Sequence, residues 1–261
     1  MGAFALTVKN ILMKIKWKKT KAAIVRDGKL KAVSELAYIN LDDLIGLDEQ
    51  KSKLINNTLK FINDDIVNHV LLWGERGCGK SSLVRGVFCK FMDMGLRLIE
   101  INTNELKNLH KILDKIRDKK RYKFIIFCDD FGFENTDSSL AELKNLLEGS
   151  IQAPPSNAVF YATSNLKHLV KSKANSDNYI VEKENSRENL SLADRFGLHI
   201  SFYELGVDEY IDIVSKLFEN SDIDNEKIKA QALAYASSKG VRSPRNARLF
   251  WQSAKEYIEK R

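Results

Sequence analysis

The chain is 261 residues long, 44% hydrophobic and +7 in net charge. That length suits one large domain, or one domain with a small companion, and the apolar fraction is enough for a full core. No apolar run approaches the roughly 18–20 residues of a membrane-spanning helix, and three cysteines and four histidines without ligand spacing argue against a metal centre or a disulfide framework.

The opening stretch MGAFALTVKNILMKIKW has no small-residue cleavage site after its apolar part, which favours a cytoplasmic protein over a secreted one. Residues 1–40 hold nine basic residues against Asp27 and Glu35, so they account for the whole net charge and leave the body neutral. They read as a basic N-terminal arm. Such an arm is either a solvated lead-in or a contact for nucleic acid, an anionic membrane or an acidic partner.

The ordered body is expected from residue 41. In YINLDDLIGLDEQKSKLINNTLKFI, Asp42 or Asp43 can cap a turn and Asp48 can cap a helix running from about Glu49. NHVLLWG reads as a short strand, followed by a Gly-rich loop and the helix KSSLVRGVFCKFMDM. LRLIEI is the next strand, and TNELKNLHKILDKIRD a helix with Thr103 or Asn104 at its cap. KFIIFCD is a third strand, and SSLAELKNLLEGS an amphipathic helix that Gly149 can close. NAVFYATSN and GLHISFYEL complete the set of five. Strands alternating with helices predict a parallel five-stranded α/β sheet, sandwiched by helices, over residues 41–205. Past Leu205 the strand pattern stops, and three helical segments predict a small all-α domain over residues 206–261. Residues 171–190, between the fourth and fifth strands, are polar and read as a long loop.

GERGCGKS, from Gly74 to Ser81, fits the P-loop pattern G-x-x-x-x-G-K-S/T between an apolar strand and a helix. Gly74, Gly77 and Gly79 allow the backbone to curl with its N–H groups turned toward phosphate oxygens. Glu75, Arg76, Cys78 and Ser82 belong to the same candidate cradle. The helix starting near Lys80 adds its N-terminal partial charge, the Lys80 ammonium suits the β- and γ-phosphates of a nucleotide, and the Ser81 hydroxyl suits Mg²⁺. Cys78 reads as a small filler; a lowered thiol pKa at a helix start is the other reading.

KFIIFCDD ends a fully apolar run in Asp129 and Asp130, and acids at the end of a buried strand need a positive partner. Ligand sites of such sheets lie at the carboxyl ends of the strands, so Asp129 is a candidate Mg²⁺ residue and Asp130 a candidate base for the attacking water. Turn capping is the competing role for Asp130.

With these motifs in order, the chain resembles the AAA+ ATPases, and within them a bacterial family of predicted ATPases of uncharacterised role. The resemblance covers residues 41–261 and rests on LDDLIGLDEQ, LLWGERGCGKSSLV, GLRLIEI, FIIFCDDFGFE, YATSN, SLADRFGLHISFY and GVRSPRNARLF. It implies an adenine pocket at Leu44, Ile45 and Gly46, and a sensor 1 role for Asn165, whose alternative is to cap a turn. It implies that Arg195 is an arginine finger acting on a neighbouring subunit's nucleotide in a homo-oligomer, against an alternative role in a structural ion pair. Arg245 resembles the sensor 2 arginine of a helical lid, in competition with Arg242 and Arg248. The general AAA+ pattern has Glu where this chain has Asp130; replication initiators of the superfamily also carry a paired Asp. No aromatic-Gly pore motif is found, which argues against a protein-threading motor. The expected activity is Mg²⁺-dependent ATP hydrolysis driving conformational change, or, as the alternative, an ATP-bound switch or loader acting on nucleic acid or a replication-type partner with little turnover.

Overall fold

The computed structural model describes residues 15–132, 143–147, 153–165, 192–219 and 225–258. In chain order they form β1 (Ala22–Arg26), β2 (Lys29–Ala32), α1 (Asp48–Ile62), β3 (Val70–Gly74), α2 (Lys80–Phe91), β4 (Leu96–Glu100), α3 (Leu109–Arg117), β5 (Lys123–Cys128), β6 (Ala158–Ser164), β7 (Leu198–Phe202), α4 (Val207–Leu217), α5 (Asn225–Lys239) and α6 (Pro244–Ile258). Residues 143–147 are also helical.

The sheet runs β2-β1-β4-β5-β6-β3-β7, and every pairing is parallel except that of β1 with β2. β5 shows why its sequence does not alternate: Phe124, Ile126 and Cys128 pack into one core and Ile125 and Phe127 into another, with helices on both faces. α3 and Leu143 cover the first face; α1 and α2 cover the second. A third core joins α4, α5 and α6 through Tyr210, Ile213, Ala232, Ala247 and Phe250. Among the described residues, no helix is long and apolar enough to cross a membrane.

The sheet has seven strands rather than the expected five. The added pair comes from AAIVRDGKLKA, inside the segment read as a basic arm. Asp27 and Gly28 both take left-handed backbone angles, φ 52° and 65°, as a two-residue hairpin of matching twist demands. Glu105 fixes the turn by accepting from the amides of Asp27 (2.8 Å) and Gly28 (2.9 Å). Upstream, Trp17 is buried edge-on against Phe124 at 4.9 Å, and Arg97 Nε donates to its carbonyl at 2.9 Å. Residues 15–32 are thus fastened to the sheet, while residues 1–14 lie outside the described set.

Smaller differences concern the caps. Asn40 rather than Asp42 or Asp43 caps the 3₁₀ turn Leu41–Asp43, and Asp48 is the first residue of α1 with Leu47 in the capping position. Asn102 caps the 3₁₀ turn Thr103–Asn108 that leads into α3, because its side chain reaches the Glu105 amide and Thr103 already lies inside the turn. Gly149 and the loop 171–190 lie outside the described residues.

Candidate nucleotide-binding site

β3, β5 and β6 are adjacent and parallel, so their carboxyl ends bring Gly74, Asp129 and Asn165 to one rim. Above that rim lies a cavity of about 1050 Å³, closed on its other side by α4 and α6.

Gly74 ends β3 with φ 128°, and a Cβ there would lie 1.9 Å from the Phe202 carbonyl oxygen. Its need for glycine is therefore the close approach of β7, before any ligand is considered. Gly77, at φ 79°, sits against the start of α6: a Cβ would meet Arg245 Cβ and Ser243 Oγ at 3.2 Å each.

Lys80 opens α2 and is 6% exposed, with its Nζ donating to the carbonyls of Gly74 (2.8 Å) and Glu75 (2.7 Å). Burial lowers its pKa, and the charges of Cys78, Asp130, Glu75 and Asp129 oppose that shift. An ammonium desolvated this far, whose hydrogen bonds go to neutral carbonyls, fits an incoming polyphosphate. Cys78 is 2% exposed and belongs to the core beneath the loop, and its thiol is pushed up to about 11 by burial. It is a filler, not an activated thiol.

Asp129 follows directly from β5. Its Oδ1 accepts from Ser81 Oγ at 2.5 Å and from Thr163 Oγ1 at 2.6 Å. Its Oδ2 lies 3.4 Å from Arg85, which also lies 3.6 Å from Glu100. A hydroxyl and a carboxylate side by side are hard oxygen ligands of the kind Mg²⁺ takes, so Ser81 and Asp129 fit that ion. Asp130 adopts φ 52°, a left-handed conformation that aspartate tolerates better than most side chains. The turn is held by Thr163, whose Oγ1 accepts from the Asp130 amide at 2.9 Å and whose carbonyl accepts from the Phe131 amide at 2.6 Å. Asn165 Nδ2 donates to Asp130 Oδ1.

Residues 13–257 match the family described as "Protein of unknown function (DUF815)". The chain belongs to that family. No curated protein sequence matches the chain significantly. Among solved structures the DUF815 chain is similar to the Thermotoga maritima RuvB Holliday junction branch migration motor, at TM-score 0.50 and 17% identity, over 81% of this chain and 62% of that one. Two single-residue variants of the same RuvB align at TM-scores of 0.52 and 0.53, both at 17% identity, over 81% and 82% of this chain and 63% and 64% of theirs. At that identity the likeness shows the fold alone. The DUF815 chain spans less than two thirds of the length of these RuvB chains.

In this DUF815 member, Leu44, Ile45, Arg76, Gly77, Gly79, Lys80, Ser81, Ser82, Asp129, Asp130, Asn165 and Arg245 all line the cavity. Gly46, Gly74, Glu75 and Cys78 do not; the last three lie in or under the loop, and Glu75 donates its amide to the Phe202 carbonyl at 3.0 Å. Arg245 and Arg248 reach the cavity from α6, whereas Arg242 is spent elsewhere. Its Nε donates to the Leu205 carbonyl at 2.9 Å and its guanidinium pairs with Glu204 at 3.2 Å. Arg195 is half-buried on the approach to β7 and does not line this chain's own cavity. Sequence reasoning missed Arg85 and Thr163. Arg85 had a signal, since it lies four residues after Ser81 and so on the same face of α2. Thr163 had only its place two residues before Asn165.

Proposed function

We propose that this chain is a Mg²⁺-dependent ATPase of AAA+ type that works as a homo-oligomer in the cytoplasm. The observation that carries this reading is the run of contacts Ser81–Asp129–Thr163–Asp130–Asn165 beside the buried Lys80, under a lid bearing Arg245 and Arg248. Lys80 would hold the β- and γ-phosphates, with the amides of Arg76, Gly77 and Gly79 around them. Ser81 and Asp129 would hold Mg²⁺, which when bound neutralises phosphate charge. Leu44 and Ile45 offer an apolar wall for adenine. Asp130, with Oδ1 held by Asn165, keeps Oδ2 to accept a proton from the attacking water. Arg195 would complete a neighbouring copy's site, and a finger in trans is worth on the order of 10³–10⁵ in rate. The three buried free thiols support a reducing compartment.

A second reading, a nucleotide-loaded switch or loader acting on nucleic acid with little turnover, draws support from the same Asn165–Asp130 bond, which engages the candidate base. One experiment separates the two: phosphate release measured across protein concentration, with and without single-stranded DNA. The ATPase reading expects turnover per subunit to rise with concentration, and a lysine-80 variant, Lys80→Ala, to abolish it. An Arg195→Ala variant that hydrolyses at the wild-type rate removes the finger. ATP binding with negligible turnover at every concentration favours the switch.

A further inference from the structure

The hairpin β1–β2 carries a feature that the nucleotide site leaves unused. Arg26 and Lys29 are direct cross-strand partners in the register, as are Ile24 and Lys31. Partners opposite one another share a face, and residues two apart on a strand do too. Arg26, Lys29 and Lys31 therefore stand together on one face, and all three are exposed. Like charges placed directly opposite destabilise a strand pair. No ion pair relieves them among the described residues; nearby Lys21 by contrast is paired with Asp93 at 2.6 Å.

Edge lysines have a bland use, since they discourage sheet-to-sheet pairing. That use explains Lys29 and Lys31 on the edge strand β2. It makes no demand on Arg26, which lies on the inner strand β1 and creates the repulsion. The hairpin is also held rigid by Glu105 at its turn and by β4 along β1, so the three charges cannot drift apart as tail residues would.

We infer that this face binds the phosphate backbone of a nucleic-acid strand. Lys29 and Lys31 are about 6.6 Å apart along the strand, a step comparable with that between successive phosphates of an extended chain. Three cations grouped on an open surface suit a polyanion better than a single small anion, which would need a pocket. An anionic membrane is the poorer match, because the apolar residues on the same face, Ile24 and Val33, are both half-buried and leave no exposed anchor there. The inference rests on the nucleic-acid partner of the second reading above, but not on ATP hydrolysis.

The test compares three full-length proteins: wild type, the triple variant Arg26→Ala/Lys29→Ala/Lys31→Ala, and a charge-matched control on α5, Lys227→Ala/Lys229→Ala/Lys239→Ala. The probe is a labelled single-stranded DNA of about 30 nucleotides, with an RNA of the same length, titrated at several salt concentrations. The hairpin variant is expected to bind roughly tenfold or more weakly at low salt, with the slope of log K against log salt flattened by about 2, while the control is unchanged. Its thermal midpoint should equal or exceed that of wild type, because repulsion has been removed, and its ATP turnover without DNA should be unaltered. Unchanged affinity and slope in the hairpin variant overturn the inference, as does an equal loss in the control. Binding to phosphatidylserine vesicles but to neither oligonucleotide overturns it too. Absence of ATP turnover in wild type would bear on the ATPase reading alone.

Discussion

Arg85 holds the Oδ2 of Asp129 at 3.4 Å, on the same helix face from which Ser81 donates to Oδ1 at 2.5 Å. The carboxylate proposed to hold Mg²⁺ is thus shared with a guanidinium, which is itself 3.6 Å from a second acid, Glu100. Arg85 and Mg²⁺ would compete for Asp129, and Glu100 would retain the arginine when the ion binds. Both side chains are about a third exposed, so the pair is worth about 0.2–1 kcal/mol. Arg85→Gln should therefore lower the Mg²⁺ concentration needed for half-maximal binding of a fluorescent ATP analogue, by roughly twofold to fivefold. A raised Mg²⁺ requirement would mean that Arg85 builds the site and does not compete for it.

Asp130→Asn keeps the size of the side chain and its partner Asn165 but removes the proton acceptor. Loss of a positioned base costs about 10²–10⁴ in turnover, and that drop is expected here with ATP affinity within a few-fold of wild type. Single-turnover hydrolysis and equilibrium binding measure the two separately. Full turnover in the variant would return Asp130 to the turn-capping role.

These residues show where the sequence was readable. β5 and the P-loop were legible because local pattern alone defines them: an apolar run buried on both faces, and glycines with Lys80 between strand and helix. The hairpin β1–β2 carried an Asp27-Gly28 turn signal that the surrounding charge concealed, and the two left-handed residues explain it. Gly74 was read as a phosphate glycine, yet its tightest constraint comes from Phe202, far along the chain. Arg85 and Thr163 acquire their meaning only from Asp129 across the sheet. Partners distant in sequence leave no local pattern, which is why Arg242, Arg245 and Arg248 could not be told apart until Arg242 was found on Glu204 and Leu205.

That division of labour makes the arginines separable. Arg242→Ala removes a hydrogen bond to Leu205 and a partly exposed ion pair with Glu204, and should cost roughly 1 kcal/mol of stability with little direct loss of nucleotide contact. Arg245→Ala removes a cavity-lining charge packed over Gly77, and should weaken ATP binding or turnover at unchanged thermal midpoint. Denaturant midpoints and nucleotide titrations on both variants distinguish them; a reversed pattern would exchange their roles.

Gly74→Ala tests the β3–β7 junction. The new methyl would stand 1.9 Å from the Phe202 carbonyl oxygen at a φ of 128°, so the backbone of β7 must move. The amide of Glu75 would lose its 3.0 Å bond to that carbonyl. Strain of this kind costs about 1–3 kcal/mol or more. Urea unfolding should show that loss, and a variant as stable as wild type would mean that β7 yields freely.

His69 supplies a pH dependence far from the nucleotide. Burial holds its pKa down to about 4 from 6.5, and its Nδ1 accepts from the Phe160 amide at 3.0 Å, which requires an unprotonated nitrogen there. Between those two values the unfolded chain binds a proton that the native state refuses. Stability therefore rises with pH across the window and is lost as pH falls from about 6.5 toward 4. The full difference amounts to about 3 kcal/mol. Urea midpoints measured from neutral pH down to about pH 4.5 should fall steeply in wild type. In His69→Asn the side-chain oxygen can still accept a hydrogen bond but cannot titrate, so the slope should flatten. Superimposable profiles would remove His69 as the cause, and other groups would have to carry the acid sensitivity.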